Sequence, residues 1–366
     1  MVVFGTRPEV IKLAPVVLEA RSRPNQIKLL VCSTGQHREM LDQAMQVFGI
    51  EPDVDLAVMS KNQTLASLTS KLMDSLTATF DAHKPNVVVV QGDTTSAFVA
   101  SLAAFYQQIP VAHVEAGLRT GDLASPFPEE LNRVLISRMA HWHFPPTKQA
   151  AQNLLGEKVD SEKIVITGNT VVDAIKIIRQ KWSKFDVDAN YFPNKELVLI
   201  TTHRRENQGD TLMKICAAIK LLSQSHPELG FVFPVHLNPN VREIVYQELK
   251  GIENLIMIEP LDFNVTLQLQ SQCKLIITDS GGIQEEAPSF AVPTVVMREH
   301  TERREGIDAG FSTLAGTETS SILKAAEAFL NETNVKQRLS SKVNPYGDGN
   351  ASSRIINVLL GLEADA

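Results

Sequence analysis

Short apolar runs rich in β-branched residues alternate along the whole chain with longer stretches in which apolar residues recur at helical spacing. The short runs predict buried strands, and the longer stretches predict amphipathic helices. Such an alternation is typical of strand–helix units built around a parallel sheet. In the first half of the chain, the predicted strands are Val2–Phe4, Lys28–Ser33, Val87–Gln91, Val111–Val114, His143–Phe144 and Ile164–Thr167.

Helix-length segments separate these strands. Pro8 and Pro128 stand at the starts of two of them, where a missing N–H costs little because the first helical turn leaves its N–H groups unbonded. The predicted helices are Pro8–Ala20, Thr64–His83, Thr95–Gln107, Pro128–Ala140 and Thr147–Leu155.

The alternation breaks once, after a predicted helix at Val171–Trp182. Residues 183–195 are polar, contain Pro193 and lack periodicity, so they predict a linker. The pattern then restarts, which predicts a first domain at 1–182 and a second at 196–349. The strands predicted for the second domain are Leu197–Thr201, Phe231–Val235, Leu255–Ile258, Leu275–Thr278 and Thr294–Met297.

The expected fold class is therefore α/β, with two doubly wound, Rossmann-like domains facing each other across a cleft. Sheets of this kind bind ligands beyond the carboxyl ends of their strands. We therefore expect the chemistry of the protein to lie in the loops that follow the strands.

Composition narrows the functional classes. The 366 residues carry a formal net charge of −7, so neither nucleic acid nor an anionic membrane is an expected partner. The three cysteines are widely spaced, which argues against a cysteine zinc site and a disulfide framework and favours the cytoplasm. No apolar run approaches the roughly 20 residues of a membrane-spanning helix. Charged residues within the first ten positions argue against a signal peptide.

The first candidate loop follows the first strand. It places Gly5 and Arg7 at the start of a helix, with Lys12 further along. A glycine turn and a cation at a helix N-terminus suit a phosphate group. An ordinary capped helix with solvated charges explains the same residues equally well.

Three carboxylates follow later strands of the first domain. Asp93 and Glu115 come directly after strand ends, while Glu129 lies at the start of a helix, four residues before Arg133. Glu129 and Arg133 could form a simple surface ion pair, and Asp93 could sit in a plain helix cap. Carboxylates at successive strand ends are, however, what proton transfer in a cleft requires.

The second domain offers candidates for binding a diphosphate. His203, Arg204 and Arg205 follow one strand, and arginines bind phosphate oxygens in pairs. His236 follows the next strand, where a hydrogen-bonded structural histidine is the more common explanation.

A Ser280-Gly281-Gly282 turn opens another helix with exposed backbone N–H groups. Glu285 or Glu286, one turn later, could bind ribose hydroxyls.

Several familiar motifs are absent from the sequence. It contains no G-x-G-x-x-G after a strand, no G-x-x-x-x-G-K-[ST] and no H-E-x-x-H, which argues against the usual NAD, P-loop and zinc-protease classes. His141 and His143 could face one side of a strand as a metal pair, although packing explains them better. From its residues alone, the chain is expected to be an enzyme that binds a nucleotide diphosphate ligand between two domains and performs acid–base chemistry, without a metal or cofactor.

Eight segments closely resemble those of the non-hydrolysing UDP-N-acetylglucosamine 2-epimerases, in the same order. They are Gly5–Glu9, Gln36–Leu41, Gly92–Thr95, His113–Thr120, His203–Asn207, Pro234–Pro239, Asp279–Glu286 and Asn344–Gly349. The resemblance implies a glycosyltransferase-B-like fold, a homodimer and a C-terminal helix, 350–366, that completes the first domain.

The resemblance also implies the reaction. UDP-N-acetylglucosamine and UDP-N-acetylmannosamine would be interconverted by loss of UDP and the C2 proton to a 2-acetamidoglucal, followed by readdition. The product would supply activated N-acetylmannosamine for surface polysaccharide synthesis. A hydrolysing epimerase, a UDP-sugar glycosyltransferase and a non-catalytic nucleotide-sugar sensor are the alternatives.

The residue roles follow from the same resemblance. Asp93, Glu115 and Glu129 would be the acid–base carboxylates, and His203 would act on the diphosphate or leaving group. The expected contacts to the UDP-sugar are Arg7, Lys12, Arg133, Ser280, Gly281, Gly282 and Glu286.

An activating second UDP-N-acetylglucosamine would be bound by Gln36, His37, Arg204 and His236. Glu39 stands where activated family members carry glutamine. Thr266 and Arg304 replace a common phenylalanine near uracil and a common proline.

Overall fold

A computed structural model describes residues 1–35, 38–60, 63–182 and 191–362, with the side chains of 38–40 and 205 left undescribed. The chain divides into two compact units. Unit 1 comprises Met1–Gln180 and the segment from Tyr346 onward, and unit 2 comprises Lys181–Pro345. Most of the predicted linker, residues 183–190, lies outside the described residues. Within these residues, no helix is long and apolar enough to cross a bilayer.

Unit 1 contains a six-stranded parallel sheet in the order β3-β2-β1-β4-β5-β6. Its strands are β1 (Val2–Phe4), β2 (Val31–Ser33), β3 (Val54–Asp55), β4 (Val88–Gln91), β5 (Val111–Val114) and β6 (Trp142–Phe144). Its first seven helices are α1 (Arg7–Arg21), α2 (Arg38–Phe48), α3 (Leu65–His83), α4 (Thr95–Tyr106), α5 (Glu129–Met139), α6 (Lys148–Gly156) and α7 (Thr170–Arg179).

Unit 2 has a second six-stranded parallel sheet in the order β12-β11-β10-β7-β8-β9. Its strands are β7 (Glu196–Thr201), β8 (Leu229–Pro234), β9 (Leu255–Ile258), β10 (Cys273–Thr278), β11 (Thr294–Val296) and β12 (Ser312–Leu314). Its helices are α8 (Asp210–Ser225), α9 (Pro239–Glu248), α10 (Phe263–Gln272), α11 (Gly281–Glu286), α12 (Arg304–Asp308), α13 (Thr319–Leu330) and α14 (Val335–Ser340). Because both sheets have the doubly wound order, the predicted α/β class with two Rossmann-like domains is confirmed.

The helices bury the faces that their apolar spacing predicts. In α3, Leu68, Leu72, Leu76 and Phe80 recur every fourth residue and are all buried against the sheet core of unit 1. The strands between the helices are apolar on both faces, as expected for parallel sheets that are covered on each side.

One predicted strand is wrong. Residues 164–167 form only an isolated parallel bridge between Ile164 and His143. After β6 the chain continues into Pro145 and Pro146, which have no N–H to extend the ladder. Gly168, with a φ of 90°, then turns the chain away from the sheet.

The last helix, α15 (Ala351–Leu359), belongs to unit 1, where it packs on α1 and α7. Buried Asp173 of α7 accepts hydrogen bonds from the backbone N–H groups of Ala351, at 3.2 Å, and Ser352, at 2.8 Å, and from the Ser352 hydroxyl at 2.6 Å. A carboxylate at this position satisfies N–H groups that the first helical turn leaves unbonded. Residues 346–349, which the sequence pattern left in the second domain, also belong to unit 1.

Candidate active site

The strand order of unit 1 reverses between β1 and β4, and polar residues follow both strands. Arg7 begins α1 just after β1, and Asp93 follows β4 through the Gly92 turn. Doubly wound sheets bind their ligands beyond the strand ends at such a reversal.

Glu9 joins the two loops at this reversal. One carboxylate oxygen accepts the N–H groups of Gly5, at 2.9 Å, and Thr6, at 2.7 Å, and the other accepts the Thr94 hydroxyl at 2.6 Å. Burial raises the pKa of Glu9, and these hydrogen bonds oppose the rise. The two loop N–H groups are therefore donated to Glu9, and an anion at this loop would meet the half-buried side chain of Arg7 instead. Sequence reasoning missed Glu9, although the Thr-x-x-Glu spacing is a helix-start signal.

Asp93 is held by Arg133. The Arg133 guanidinium donates to one Asp93 carboxylate oxygen through Nε, at 3.0 Å, and also through Nη2. The Asn132 side chain donates to the Asp93 carbonyl at 2.8 Å. Since Asn132 and Arg133 are adjacent in α5, this helix fixes both the backbone and the carboxylate of Asp93.

Glu130 completes this arrangement and was missed in the sequence. It is buried and accepts the Arg133 Nη1 at 3.0 Å, and its other oxygen accepts the N–H groups of Thr120 and Gly121, each at 3.0 Å. The predicted ion pair between Arg133 and Glu129 is therefore replaced by one between Arg133 and Glu130. Glu129 itself is half-buried, and its carboxylate has no hydrogen bond or ion pair to a residue that the structure describes.

Glu115 follows β5 with a φ of 62°, a left-handed conformation that is rare outside glycine and recurs at functional sites. Its backbone N–H donates to the Phe144 carbonyl at 3.0 Å. Its carboxylate forms an ion pair with the Lys12 ammonium, and both side chains are largely buried. Lys12, predicted as a substrate contact, therefore lies against one of the predicted catalytic carboxylates.

The structure brings the predicted residues of unit 1 together. Asp93 and Glu115 follow neighbouring strands, which are joined there by a 3.0 Å hydrogen bond from the Gly92 N–H to the Val114 carbonyl. Glu129 begins the helix whose second turn carries Arg133. Three carboxylates thus lie near the carboxyl ends of the strands of this sheet. Asp93 and Glu115 are paired with cations, and Glu129 has no such pair among the described residues.

Unit 2 has an equivalent reversal between β7 and β10, and Asp279 lies at its centre. Asp279 is fully buried and accepts the Thr202 hydroxyl at 2.8 Å, the Asn207 amide at 3.0 Å and the backbone N–H groups of His203 and Arg204 at 3.1 Å. One buried carboxylate thereby organises the whole loop that follows β7.

The same carboxylate orients the His203 ring, whose Nδ1 lies 3.1 Å from Asp279 Oδ1. Burial opposes ionisation of Asp279, but the hydrogen bond and charge of His203 and the bond from Arg204 outweigh it and lower its pKa to about 2. The His203 side chain is 47% exposed, so its ring extends from the loop towards solvent. Sequence reasoning missed Asp279, although an aspartate directly after an apolar strand was a usable signal.

His236 is exposed, and its Nδ1 accepts the Asn238 N–H at 3.2 Å. Partial burial and the neighbouring His203 lower its pKa. It is therefore a surface histidine and not a buried structural one.

The Ser280-Gly281-Gly282 turn opens α11, and the Ser280 hydroxyl accepts the Ile283 N–H at 3.4 Å. A Cβ at Gly281 would lie 2.8 Å from the Arg303 guanidinium carbon, so a larger residue there would require Arg303 to shift. Arg303 is held in place by Glu285, whose Oε1 lies 2.7 Å from its Nε.

Glu286 has a different neighbour from Glu285. It is buried and accepts the Gln270 amide at 2.6 Å. Of the two glutamates that the sequence left open for ribose, Glu285 thus binds Arg303 and Glu286 binds a neutral amide.

The arginines Arg298 and Arg303, which follow β11, are neutralised by acidic partners. Arg298 and Arg303 both bind Glu302, whose side chain is 5% exposed. Burial opposes ionisation of Glu302, but the charges of the two arginines outweigh it and hold its pKa below the usual range. Burial, followed by repulsion from Arg298, lowers the pKa of nearby Arg204. Arg304 is exposed at the start of α12.

Two predicted residues, Gln36 and His37, lie outside the described residues, as does the side chain of Arg205. The histidine pair proposed for a metal is explained by packing, since His143 is buried while exposed His141 makes an edge contact with Trp142. Within the described part of the chain, no three His, Cys, Asp or Glu side chains are grouped as a metal site.

Comparison with known proteins gives a consistent result. The family model described as UDP-N-acetylglucosamine 2-epimerase matches residues 19–360. The UDP-N-acetylglucosamine 2-epimerase of Escherichia coli strain K12 is 47% identical over 367 residues, which cover 98% of this chain and 97% of that protein.

Solved structures agree with the sequence relatives. A crystal structure of the UDP-GlcNAc 2-epimerase of Neisseria meningitidis bound to UDP-GlcNAc has a TM-score of 0.92 and 45% identity, covering 98% of this chain and 99% of that one. The Methanocaldococcus jannaschii UDP-GlcNAc 2-epimerase in complex with UDP-GlcNAc and UDP has a TM-score of 0.84 and 33% identity, covering 98% of each chain. The similarity over nearly the full length confirms the glycosyltransferase-B-like fold class.

Proposed function

Because the chain belongs to the UDP-N-acetylglucosamine 2-epimerase family of isomerases, which epimerises UDP-N-acetylglucosamine to UDP-N-acetylmannosamine, we propose that its two sets of strand-end residues carry out this reaction by elimination and readdition of UDP. The observation that carries the proposal is the pairing of Asp93 with Arg133 and of Glu115 with Lys12 at neighbouring strand ends. The acid and base of a C2 epimerisation have to be placed together in this way.

In the first half-reaction, a carboxylate of unit 1 removes the C2 proton. The C–H electron pair forms the C1–C2 double bond, the C1–O bond breaks, and UDP leaves with that bonding pair. In the second half-reaction, UDP re-forms the bond at C1, and a carboxyl group delivers a proton to the opposite face of C2. Asp93, Glu115 and Glu129 supply these groups. Glu129 differs from the other two because its carboxylate has no described cation or hydrogen-bond partner.

Unit 2 holds UDP in this proposal. Ser280 offers its hydroxyl to the phosphates, and Gly281 and Gly282 offer their backbone N–H groups, with Arg303 beside them. Glu286 accepts from the ribose hydroxyls while Gln270 holds its other side. His203, oriented by Asp279, donates to the diphosphate and so stabilises the charge that develops on the leaving group. Arg7 adds a cation for the same diphosphate.

Three further properties are proposed from the family resemblance. The enzyme is a homodimer, and its product feeds surface polysaccharide synthesis. A second UDP-N-acetylglucosamine activates it through Arg204 and His236 together with Gln36 and His37. Burial and the charge of His203 lower the pKa of His236, which supports an electrostatic link between that second site and the leaving group.

Proton NMR of the purified protein with UDP-N-acetylglucosamine in D2O, without added nicotinamide, tests the reaction. UDP-N-acetylmannosamine carrying deuterium at C2, with little free sugar, is the expected product. Free N-acetylmannosamine with UDP would instead indicate a hydrolysing epimerase. Binding without any spectral change, with the activator present, would favour a glycosyltransferase or a sensor.

A further inference from the structure

A fully buried histidine lies directly beneath the loop that carries Asp93. His113 is in β5, and its Nε2 lies 2.7 Å from the carbonyl oxygen of Gly92. A carbonyl oxygen can only accept, so Nε2 carries the proton of this bond. The ring is thereby fixed in one tautomer, with its donor directed at the turn between β4 and α4.

The Gly92 turn is held by several elements at once. Gly92 has a φ of 69°, and its N–H donates to the Val114 carbonyl at 3.0 Å, so β5 binds both of its polar backbone groups. The next two residues are bound by other helices. The carbonyl of Asp93 accepts a hydrogen bond from Asn132 of α5, and the hydroxyl of Thr94 donates one to Glu9 of α1. The direction in which the Asp93 carboxylate leaves the backbone depends on the peptide that follows Gly92, whose carbonyl His113 fixes.

We propose that His113 is a positioning residue for epimerisation, which sets the Asp93 carboxylate for proton transfer through its hydrogen bond to the Gly92 carbonyl. The proposal rests on the proposed catalytic role of Asp93. A displacement of about 1 Å at a reacting group can lower a rate about 100-fold, so one buried hydrogen bond can have a large effect here.

The protonation state of His113 fits a fixed donor. Burial lowers its pKa to about 3, against the opposing effect of the Gly92 bond. The ring is therefore neutral throughout the working pH range. Its Nδ1 is buried and makes no hydrogen bond to any residue described, which costs free energy that an apolar residue would not incur. What a histidine provides here and an apolar residue cannot is the hydrogen bond from Nε2 to the Gly92 carbonyl.

The neighbouring strand offers a matched control. His143 of β6 pairs directly with His113 across the sheet, is equally buried, and has an Nδ1 that likewise lacks a partner in the described chain. Burial lowers its pKa to about 4. Its backbone hydrogen bond is to Ala140, beyond the last residue of α5 and at the opposite end of that helix from Glu129. A loss of core packing should affect both histidines alike, whereas a loss of Asp93 positioning should affect only His113.

The test compares His113→Phe, His113→Gln and His143→Phe in the full-length protein, with kcat and KM measured by NMR of the two UDP-sugars. His113→Phe should lower kcat about 30- to 100-fold with little change in KM. His113→Gln should recover most of that loss, because its Nε2 can reach the Gly92 carbonyl. His143→Phe should keep a kcat close to that of the wild type, even where its thermal stability falls as far. The pH profile of kcat should keep its shape in all three.

Equal losses of kcat in the two phenylalanine variants would overturn the proposal, because His113 would then be a packing residue. A missing limb in the pH profile of His113→Gln would also overturn it, because the ring would then titrate during the reaction. If His113→Phe does not fold, His113→Asn takes its place, since the shorter amide cannot reach, and equal kcat for Asn and Gln would refute the proposal. Asp93→Asn is measured in parallel: full turnover there would refute the role of Asp93 itself, whereas loss in Asp93→Asn without loss in His113→Phe would refute only the positioning.

Discussion

The carboxylate of Asp279 binds Nδ1 of His203 at 3.1 Å and, with its two oxygens, also the backbone N–H groups of His203 and Arg204. The residue that orients the imidazole therefore also fixes the loop that carries it. A ring held through Nδ1 presents Nε2 as its outward nitrogen, which is the arrangement expected of a donor to a leaving group.

Asp279→Asn should lower kcat by about 100-fold or more, because the neutral amide no longer favours the tautomer and orientation of His203. The binding of UDP, measured by calorimetry, should change much less. Thr202→Val, which removes another bond to the same carboxylate but leaves the ring contact, is the control. A kcat in Asp279→Asn no lower than in Thr202→Val would contradict this role.

Arg133→Lys should lower kcat about tenfold or more, even though the positive charge is retained. A lysine ammonium cannot reproduce the planar guanidinium that binds Asp93 and Glu130 together. Arg138→Lys on the same helix is the matched control, since Arg138 is exposed and donates only to a backbone carbonyl, that of Glu157, among the described contacts. Steady-state kinetics of both variants decide the question, and comparable kcat values would count against a special role for Arg133.

Gly281→Ala should weaken UDP binding about tenfold, because its Cβ would lie 2.8 Å from the guanidinium carbon of Arg303 and would displace that side chain. The buried partners of Arg303 leave it little room to move. Gly156→Ala provides the comparison, since no atom lies within 4 Å of a Cβ at that position. Titration of each variant with UDP measures the effect. Unchanged affinity in Gly281→Ala would contradict the prediction, because it would show that the Arg303 side chain can shift without cost to UDP binding.

Stability should depend on pH through His226, which binds Glu228 and Glu327 at 3.0 Å with its two ring nitrogens. Burial opposes protonation, but the two glutamates outweigh it and raise the pKa of His226. Because the folded pKa lies above the unfolded value, this contribution is present below about pH 6.5 and is lost as the pH rises through the folded pKa. His226→Gln should therefore lower the melting temperature at pH 6 and have little effect at pH 9. A difference that is constant with pH would contradict the linkage.

Asp173→Ala should destabilise unit 1 by about 3 kcal/mol, because the N–H groups that begin α15 lose a charged acceptor. Urea unfolding monitored by circular dichroism measures this change. Asp348→Ala is a useful comparison, since Asp348 binds Arg354 of the same helix on the exposed surface. It should cost much less, and equal losses would show that the buried bonds contribute no more than the surface pair.

The central strands of both sheets could be predicted because a parallel strand covered on both faces is apolar along its whole length. Two short edge strands lack this signal: β3 consists of Val54 and Asp55, and β12 contains Ser312 and Thr313. Neither was predicted. The wrongly predicted strand at 164–167 shows that an apolar, β-branched composition is not sufficient. No ladder forms there, because the prolines that follow β6 have no N–H groups to donate.

The candidate site also contains residues that the sequence indicated and residues that it did not. The positions of Asp93, Glu115 and His203 after strand ends could be predicted, because the apolar strands that precede them are evident in the sequence. Glu9, Glu130 and Asp279 were not singled out, because they bind other parts of the protein, and the partners of Asp279 in particular are distant in sequence. Asp279, for example, holds a loop 76 residues away. Only the folded chain shows which carboxylates bind and organise the loops of the site.

The return of the last helix to unit 1 has a consequence for biosynthesis. On the ribosome, all of unit 2 is translated before α15. Unit 1 therefore lacks the helix α15, its last packing partner, until the second sheet has been synthesised. During that interval the faces of α1 and α7 that α15 covers are open to solvent and to chaperones. A truncated messenger or premature termination would thus leave the carboxylate-bearing unit incomplete, although every one of its proposed catalytic residues had already been translated.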